Sequence, residues 1–354
     1  MKIRLAILDN DPDYLSKIVS ALNAKFSDKL EVYSFTDKNL AMSVLKKERI
    51  QFFIADEAFG ISPEEVPRHC VFAYFVSSPD VDCVDDVKAI SRYQKIESIY
   101  REILGIYSEK VDTKAIFKTQ SDGCDVFIFS SPSGGVGTST MAVACAIRCA
   151  KQGKRTLYLN LERFGSADTF FFADGGFSLS DVMFALKSKK TNLTFKIESC
   201  MKQDKSGVYF FSQTKFALDM TELNGTDWQE LISELKATGL YDCIIVDMDF
   251  RLDMDYLRLY EQVNAVIWVN TGTDVANGKT YRAFQARSMI AQERGMVIIE
   301  KIFPVYNMFS NKSCRIIDME LGIESIGGVP RLVNVSEEQI IEQLSNMEFF
   351  DNLF

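Results

Sequence analysis

Short apolar runs alternate with amphipathic stretches along almost the whole chain. In the first third, Ile3–Leu8, Leu30–Phe35, Gln51–Ala55 and Val71–Val76 are compact runs dominated by β-branched, aliphatic and aromatic residues. Runs of that length and composition predict buried strands. Between and after them, residues Pro12–Phe26, Asn39–Glu48 and Lys95–Leu104 bring apolar side chains round at helical spacing. Asp11 stands before Pro12, a capping side chain followed by proline at the first helical position. From Cys124 onward the alternation resumes. It predicts strands at Val126–Ser130, Thr156–Asn160, Gly207–Phe211, Cys243–Asp247, Ala265–Val269 and Val297–Phe303. Helices are predicted at Ser139–Gln152, Leu179–Ser188, Asp227–Ala237, Ala276–Glu293 and Ser336–Met347. Strands alternating with helices imply parallel sheets covered on both faces. Residues 108–123 are polar and aperiodic and read as a linker. The expected fold class is therefore α/β, with two doubly wound parallel-sheet domains at 1–107 and 124–354.

Composition narrows the function classes. The 354 residues are 47% hydrophobic and 25% charged, with a net charge of −9. Such a chain can bury real cores, and its acidity argues against bulk nucleic-acid binding. Eight cysteines form no CxxC pair, and His69 is the only histidine. An ordinary Cys/His zinc site and a serine–histidine triad are both excluded on those terms. Cys145 and Cys149, four apart on one helix face, read as packing. No apolar run approaches the roughly 20 residues that cross a bilayer. The first residues, MKIRLAILDNDPD, turn acidic too early for a signal peptide, so the expected location is the cytoplasm.

The richest stretch is 126–142, VFIFSSPSGGVGTSTMA. A strand runs into a loop containing Gly134, Gly135 and Gly137, and Ser139 and Thr140 then open a helix. Glycines let the backbone approach an anion closely, and the N–H groups of the loop and helix start point at it. The layout is that of a phosphate cradle, with the unusual feature that Thr138 stands where a lysine is customary.

The loop Ser133-Gly134-Gly135-Val136-Gly137-Thr138-Ser139-Thr140 resembles the deviant Walker A motif of the MinD/ParA ATPases. That family carries two lysines, at the positions filled here by Ser133 and Thr138. Residues 154–162, KRTLYLNLE, resemble the family's second strand, with Asn160 and Glu162 at its acid positions. The segment YDCIIVD resembles the Walker B strand and ends on Asp247. Asn307 falls where the family reads adenine, and Gly327-Gly328-Val329-Pro330 resembles the segment beside the base. The resemblance implies ATP and Mg2+ as cofactors. Gly134 to Thr140 would hold phosphates, Ser139 and Asp247 the metal, and Asn307 and Pro330 the base side, with Glu162 and Asp247 as the catalytic acids. With both lysine positions replaced, the expected enzyme is at most a slow ATPase, since phosphoryl transfer depends on stabilising phosphate charge. Lys279, Arg282, Lys312 and Arg331 are the cations that could take over.

In the first domain, the strand ends carry Asp9, Asn10 and Asp11, then Asp56 and Glu57, then Ser77 and Ser78. This order resembles a response-regulator receiver domain, with Asp56 at the phosphoacceptor, Asp9 and Asp11 at the metal acids and Ser77 at the switch hydroxyl. Asn10 removes one charge, and the expected lysine near the fifth strand is replaced by Arg92 or displaced to Lys95. The expectation is a degenerate receiver used for interaction.

A degenerate receiver ahead of a lysine-poor MinD/ParA-like domain resembles the TadZ/CpaE proteins of Flp (Tad) pilus assembly. That resemblance implies an ATP-bound homodimer at a cell pole, with Tad secretion components as partners and membrane contact only through them. The alternatives are an active ATPase running a positioning cycle, and a regulator gated by phosphorylation. The tail, SEEQIIEQLSNMEFFDNLF, has no lysine or arginine. An anionic membrane would repel it, so core or dimer packing is expected.

Overall fold

The computed structural model describes residues 2–110, 123–189, 192–296 and 299–353. The chain divides into two compact units.

The first unit is built on β1 Ile3–Leu8, β2 Leu30–Phe35, β3 Phe52–Asp56, β4 Val71–Val76, β5 Cys83–Val84 and β6 Val87–Ser91. They hydrogen-bond in the order β2-β1-β3-β4-β6-β5. All neighbours are parallel except the final hairpin, β5 with β6. That hairpin turns through Asp85 and Asp86, both at positive φ, as a two-residue loop requires. Strand alternation divides β1 between two cores. Ile3, Leu5 and Ile7 pack with Leu15, Ile18, Ile99 and Ile103, while Ala6 and Leu8 pack with Ala41 and Leu45. Helices Pro12–Phe26 and Ile96–Lys110 thus cover one face, and Lys38–Lys47 the other.

The helix predicted to end at Leu104 continues to Lys110. Ser108 to Lys110 are therefore helical rather than linker, and residues 111–122 lie outside the described residues. Polarity misled here because the extension has a partner that is distant in sequence. Helix Leu193–Cys200 belongs to the first unit and packs along it. The Tyr100 hydroxyl donates to Glu198 at 3.1 Å, and Phe195 meets Tyr107 edge-on at 5.5 Å.

The second unit contains β7 Asp125–Ser130, β8 Thr156–Asn160, β9 Lys202–Gln203, β10 Tyr209–Phe210, β11 Cys243–Asp247, β12 Ala265–Asn270, β13 Ile302–Phe309 and β14 Gly327–Pro330. Their order is β14-β13-β12-β7-β11-β8-β10-β9, mostly parallel, with β9 and β10 antiparallel. β7 lies at the centre, so the loop leaving it opens at a point where the winding reverses, the usual ligand position in such sheets. The strand predicted at Val297–Phe303 is displaced. β13 begins at Ile302 and runs to Phe309, because Ile302 to Tyr306 pair with β12 and Val305 to Phe309 with β14. Residues 297 and 298 lie outside the described residues.

The tail packs in the core. Helix Glu337–Leu344 and the turn Glu348–Leu353 bury Ile341, Leu344 and Phe350 in the same cluster as Cys145 and Cys149 of the helix Thr138–Lys151. Arg148 of that helix grips Asp351 through Nε at 3.0 Å and Nη2 at 2.6 Å. Among the described residues, no helix is long and apolar enough to cross a membrane.

Candidate nucleotide-binding site

The loop after β7 is held from behind. The Ser131 hydroxyl donates to the Val269 carbonyl on β12 at 2.7 Å, and accepts the Ser133 N–H at 3.1 Å. Gly135 and Gly137 stand at φ 70° and 82°, where a side chain is strained. At Gly137 a Cβ would also lie 2.4 Å from the Asn307 amide nitrogen. Gly137 is the N-cap of Thr138–Lys151, and no side chain caps that helix start. The first N–H groups are left free of a capping side chain, in the arrangement that receives an anion. Thr138, Ser139 and Thr140 are half-buried on the first turn, beside the exposed Gly134 and the buried Val136.

Opposite Ser139 lies a chain of acids and amides. Asp247, at the end of β11, is wholly buried. Its Oδ2 accepts the Tyr158 hydroxyl at 2.7 Å, and its Oδ1 has no partner. Burial, then the charge of Glu162, raises its pKa from 3.8 to about 7, against the Tyr158 hydrogen bond that lowers it. Asn160 is the hub. Its amide nitrogen donates to Glu162 Oε2 at 2.9 Å and to the Tyr158 hydroxyl at 3.2 Å, and its Oδ1 accepts the Glu162 N–H at 3.2 Å. Ser139 Oγ lies 3.5 Å from Glu162 Oε1.

A buried carboxylate oxygen without a partner, facing a hydroxyl and a second carboxylate, is a hard-oxygen donor set that suits Mg2+. Among the described residues, no trio of His, Cys, Asp and Glu could hold a metal ion alone. A metal here would need oxygens from its ligand, as in sites that bind Mg2+ together with phosphates. Tyr158, which sequence reading passed over, lies on the strand face shared by Asn160 and Glu162. Period-two spacing was the available signal.

Neither Ser133 nor Thr138 brings a cation to the loop. Ser133 is buried with its hydroxyl unpartnered, and Thr138 is half-buried. Lys279, Arg282, Lys312 and Arg331 are all exposed, and none has a hydrogen bond or ion pair to the loop among the described contacts. Asn307 donates to the Val136 carbonyl at 2.9 Å and accepts the Met308 N–H, so it braces the loop. Pro330 lines a cavity of about 540 Å³ with Tyr306, Phe309, Asn311, Gly327 and Gly328. That volume is ordinary for a small-molecule pocket.

In the first unit the acids gather as expected but are already occupied. Asp9 and Asp56 are buried, and Nη2 of Arg92 bonds to both, at 3.0 Å to Asp56. Asp11 caps the helix Pro12–Phe26, accepting the N–H groups of Asp13 and Tyr14 at 3.0 Å each. Ser77 is exposed on the loop after β4.

Residues 1–108 match the family model described as "TadZ-like, receiver domain". No curated protein matches the chain. Among solved structures, a ParA family ATPase from Chlorobium tepidum is similar at 17% identity and TM-score 0.51, covering 65% of this chain and 96% of that one. MinD from Pyrococcus horikoshii, solved with Mg-ADP, follows at 15% identity and TM-score 0.48, covering 63% and 94%. The MinC:MinD complex of Aquifex aeolicus gives 16% identity and TM-score 0.46, over 62% and 86%. At these identities the likeness is one of fold. A receiver-like domain of the TadZ type at residues 1–108 thus precedes a domain with the fold of the ParA family ATPase.

Proposed function

We propose that the chain is an ATP-binding, dimerising assembly factor of a Tad (Flp) pilus or related secretion system, with weak or absent ATP hydrolysis. One observation carries this reading. A glycine loop and an uncapped helix start face the unpartnered Oδ1 of a buried Asp247, in a loop with no lysine. Backbone N–H groups of Gly135 to Thr140 hold the phosphates, and Ser139 and Asp247 hold Mg2+. Bound Mg2+ would neutralise part of the phosphate charge. Asn160 fixes Glu162 beside Ser139, where its carboxylate can orient a water. The lost lysines remove charge stabilisation that phosphoryl transfer needs, so binding outlasts turnover. Dimerisation is supported by apolar side chains exposed on the turns and helix starts that follow the strands. Phe164, Phe216, Leu218, Val275 and Met319 are each at least 70% exposed. The pilus role and a polar location rest on the TadZ-like receiver alone.

The test is steady-state phosphate release alongside equilibrium ATP binding, for the native chain and for Asp247→Ala. The reading expects tight Mg2+-dependent binding that the variant loses, with release near background in both. A robust Mg2+-dependent rate abolished by Asp247→Ala would replace it with an active ATPase.

A further inference from the structure

A receiver fold ordinarily holds a divalent cation between its acids, and the residues of this first unit do not fit one. We propose that Arg92 is a built-in counter-ion that fills the acid pocket, so that the unit keeps one state whether or not Mg2+ is present. The geometry is specific. Asp9, at the end of β1, is fully buried, and Asp56, at the end of β3, is 6% exposed. A single guanidinium nitrogen of Arg92, just past β6, bonds to Oδ2 of both. The other oxygen of each carboxyl also takes a hydrogen bond. Asp9 Oδ1 takes the Asp11 N–H at 2.9 Å, and Asp56 Oδ1 takes the Ala58 N–H at 3.0 Å. Asp11, the other acid of the cluster, spends its Oδ1 on the helix cap.

Arg92 is also fixed at its near end. The Tyr14 hydroxyl donates to its carbonyl at 3.0 Å, and the Tyr14 ring lies 5.0 Å under the guanidinium. Tyr14 in turn packs edge-on against Phe75 at 6.1 Å. A metal ion would have to expel a cation that makes two charge-assisted hydrogen bonds and is stacked on an aromatic face. Mg2+ demands near-octahedral oxygen ligation and sheds water reluctantly, so it competes poorly for two carboxylates already bridged. With Asn10 in place of a third acid, the pocket holds two buried carboxyl groups, and the Arg92 guanidinium bridges them.

The test is Mn2+ titration of the isotope-labelled full chain, followed by paramagnetic broadening of the Asp9, Asp11, Asp56 and Ala58 amide signals. The same titration on the Asp247→Ala background separates this pocket from any metal at Asp247. In the native chain these signals are expected to stay sharp. In Arg92→Ala they are expected to broaden saturably, at Mn2+ concentrations at least tenfold lower than any effect in the native chain. Arg92→Gln, which keeps bulk and a donor but no charge, is the second variant should the alanine form fail to fold, and is expected to broaden too. Saturable broadening in the native chain, or sharp signals in a folded Arg92 variant, would overturn the proposal.

Discussion

Asp247 is a wholly buried acid at the end of β11. Its raised pKa, about 7 against an ordinary 3.8, means the folded chain keeps a proton that the unfolded chain has lost across that interval. Stability from this group is full below pH 4 and falls as pH rises towards 7, by on the order of a few kcal/mol. Without metal or nucleotide, thermal unfolding should therefore occur at lower temperature at pH 7.5 than at pH 5, and Asp247→Asn should flatten that difference. Mg2+ with ATP, by holding the ionised form, should restore stability at the higher pH. At Gly137, alanine meets both a φ of 82° and the Asn307 amide at 2.4 Å. Gly137→Ala should cost roughly 1–3 kcal/mol and weaken ATP binding, read by denaturant titration and by fluorescent-nucleotide displacement. Most of these residues were legible in the sequence, since glycines, the strand-end acid and the hydroxyls stand at motif spacing. What was not legible was who holds them. Tyr158 and the bracing role of Asn307 depend on neighbours brought close by the sheet, which no local spacing encodes.

At the scale of elements, strands and helices with a strong period came out close to their predicted bounds, as β4, β8 and β11 illustrate. The failures share a cause. The hairpin β5–β6 is short and half-polar, the helix ending at Lys110 is sustained by Leu193–Cys200, and β13 is set by pairing on two sides. Each is specified by partners distant in sequence rather than by its own pattern. The tail helix gives a direct check on packing. Leu344 is 1% exposed in the core beneath the loop helix. Leu344→Ala should destabilise the second unit by about 2–4 kcal/mol in denaturant unfolding, whereas removing the part-exposed Asp351 partner of Arg148 should cost no more than about 1 kcal/mol. If both changes left stability untouched, the tail would not be a core element.

At the scale of the whole molecule, sequence alternation announced two α/β units, and the receiver likeness of the first was readable from its strand-end acids. The first unit has an acid pocket bridged by its own arginine, and the second has a glycine loop with no lysine. The exposed apolar residues on the cradle's edge lead to a quantitative expectation for assembly. Sedimentation equilibrium should show a dimer with ATP and Mg2+ and a monomer without, and Phe216→Asp should weaken the dimer at least tenfold while ATP binding persists. A dimer equally stable without nucleotide would detach assembly from the cradle. The central claim, that the cradle holds ATP without spending it, is tested most directly by nucleotide recovery. The chain is incubated with ATP and Mg2+, freed of unbound nucleotide by gel filtration, denatured, and its nucleotide separated by ion-exchange chromatography. The account predicts close to one intact ATP per chain after hours at 25 °C; an empty chain, or one carrying only ADP, would contradict it.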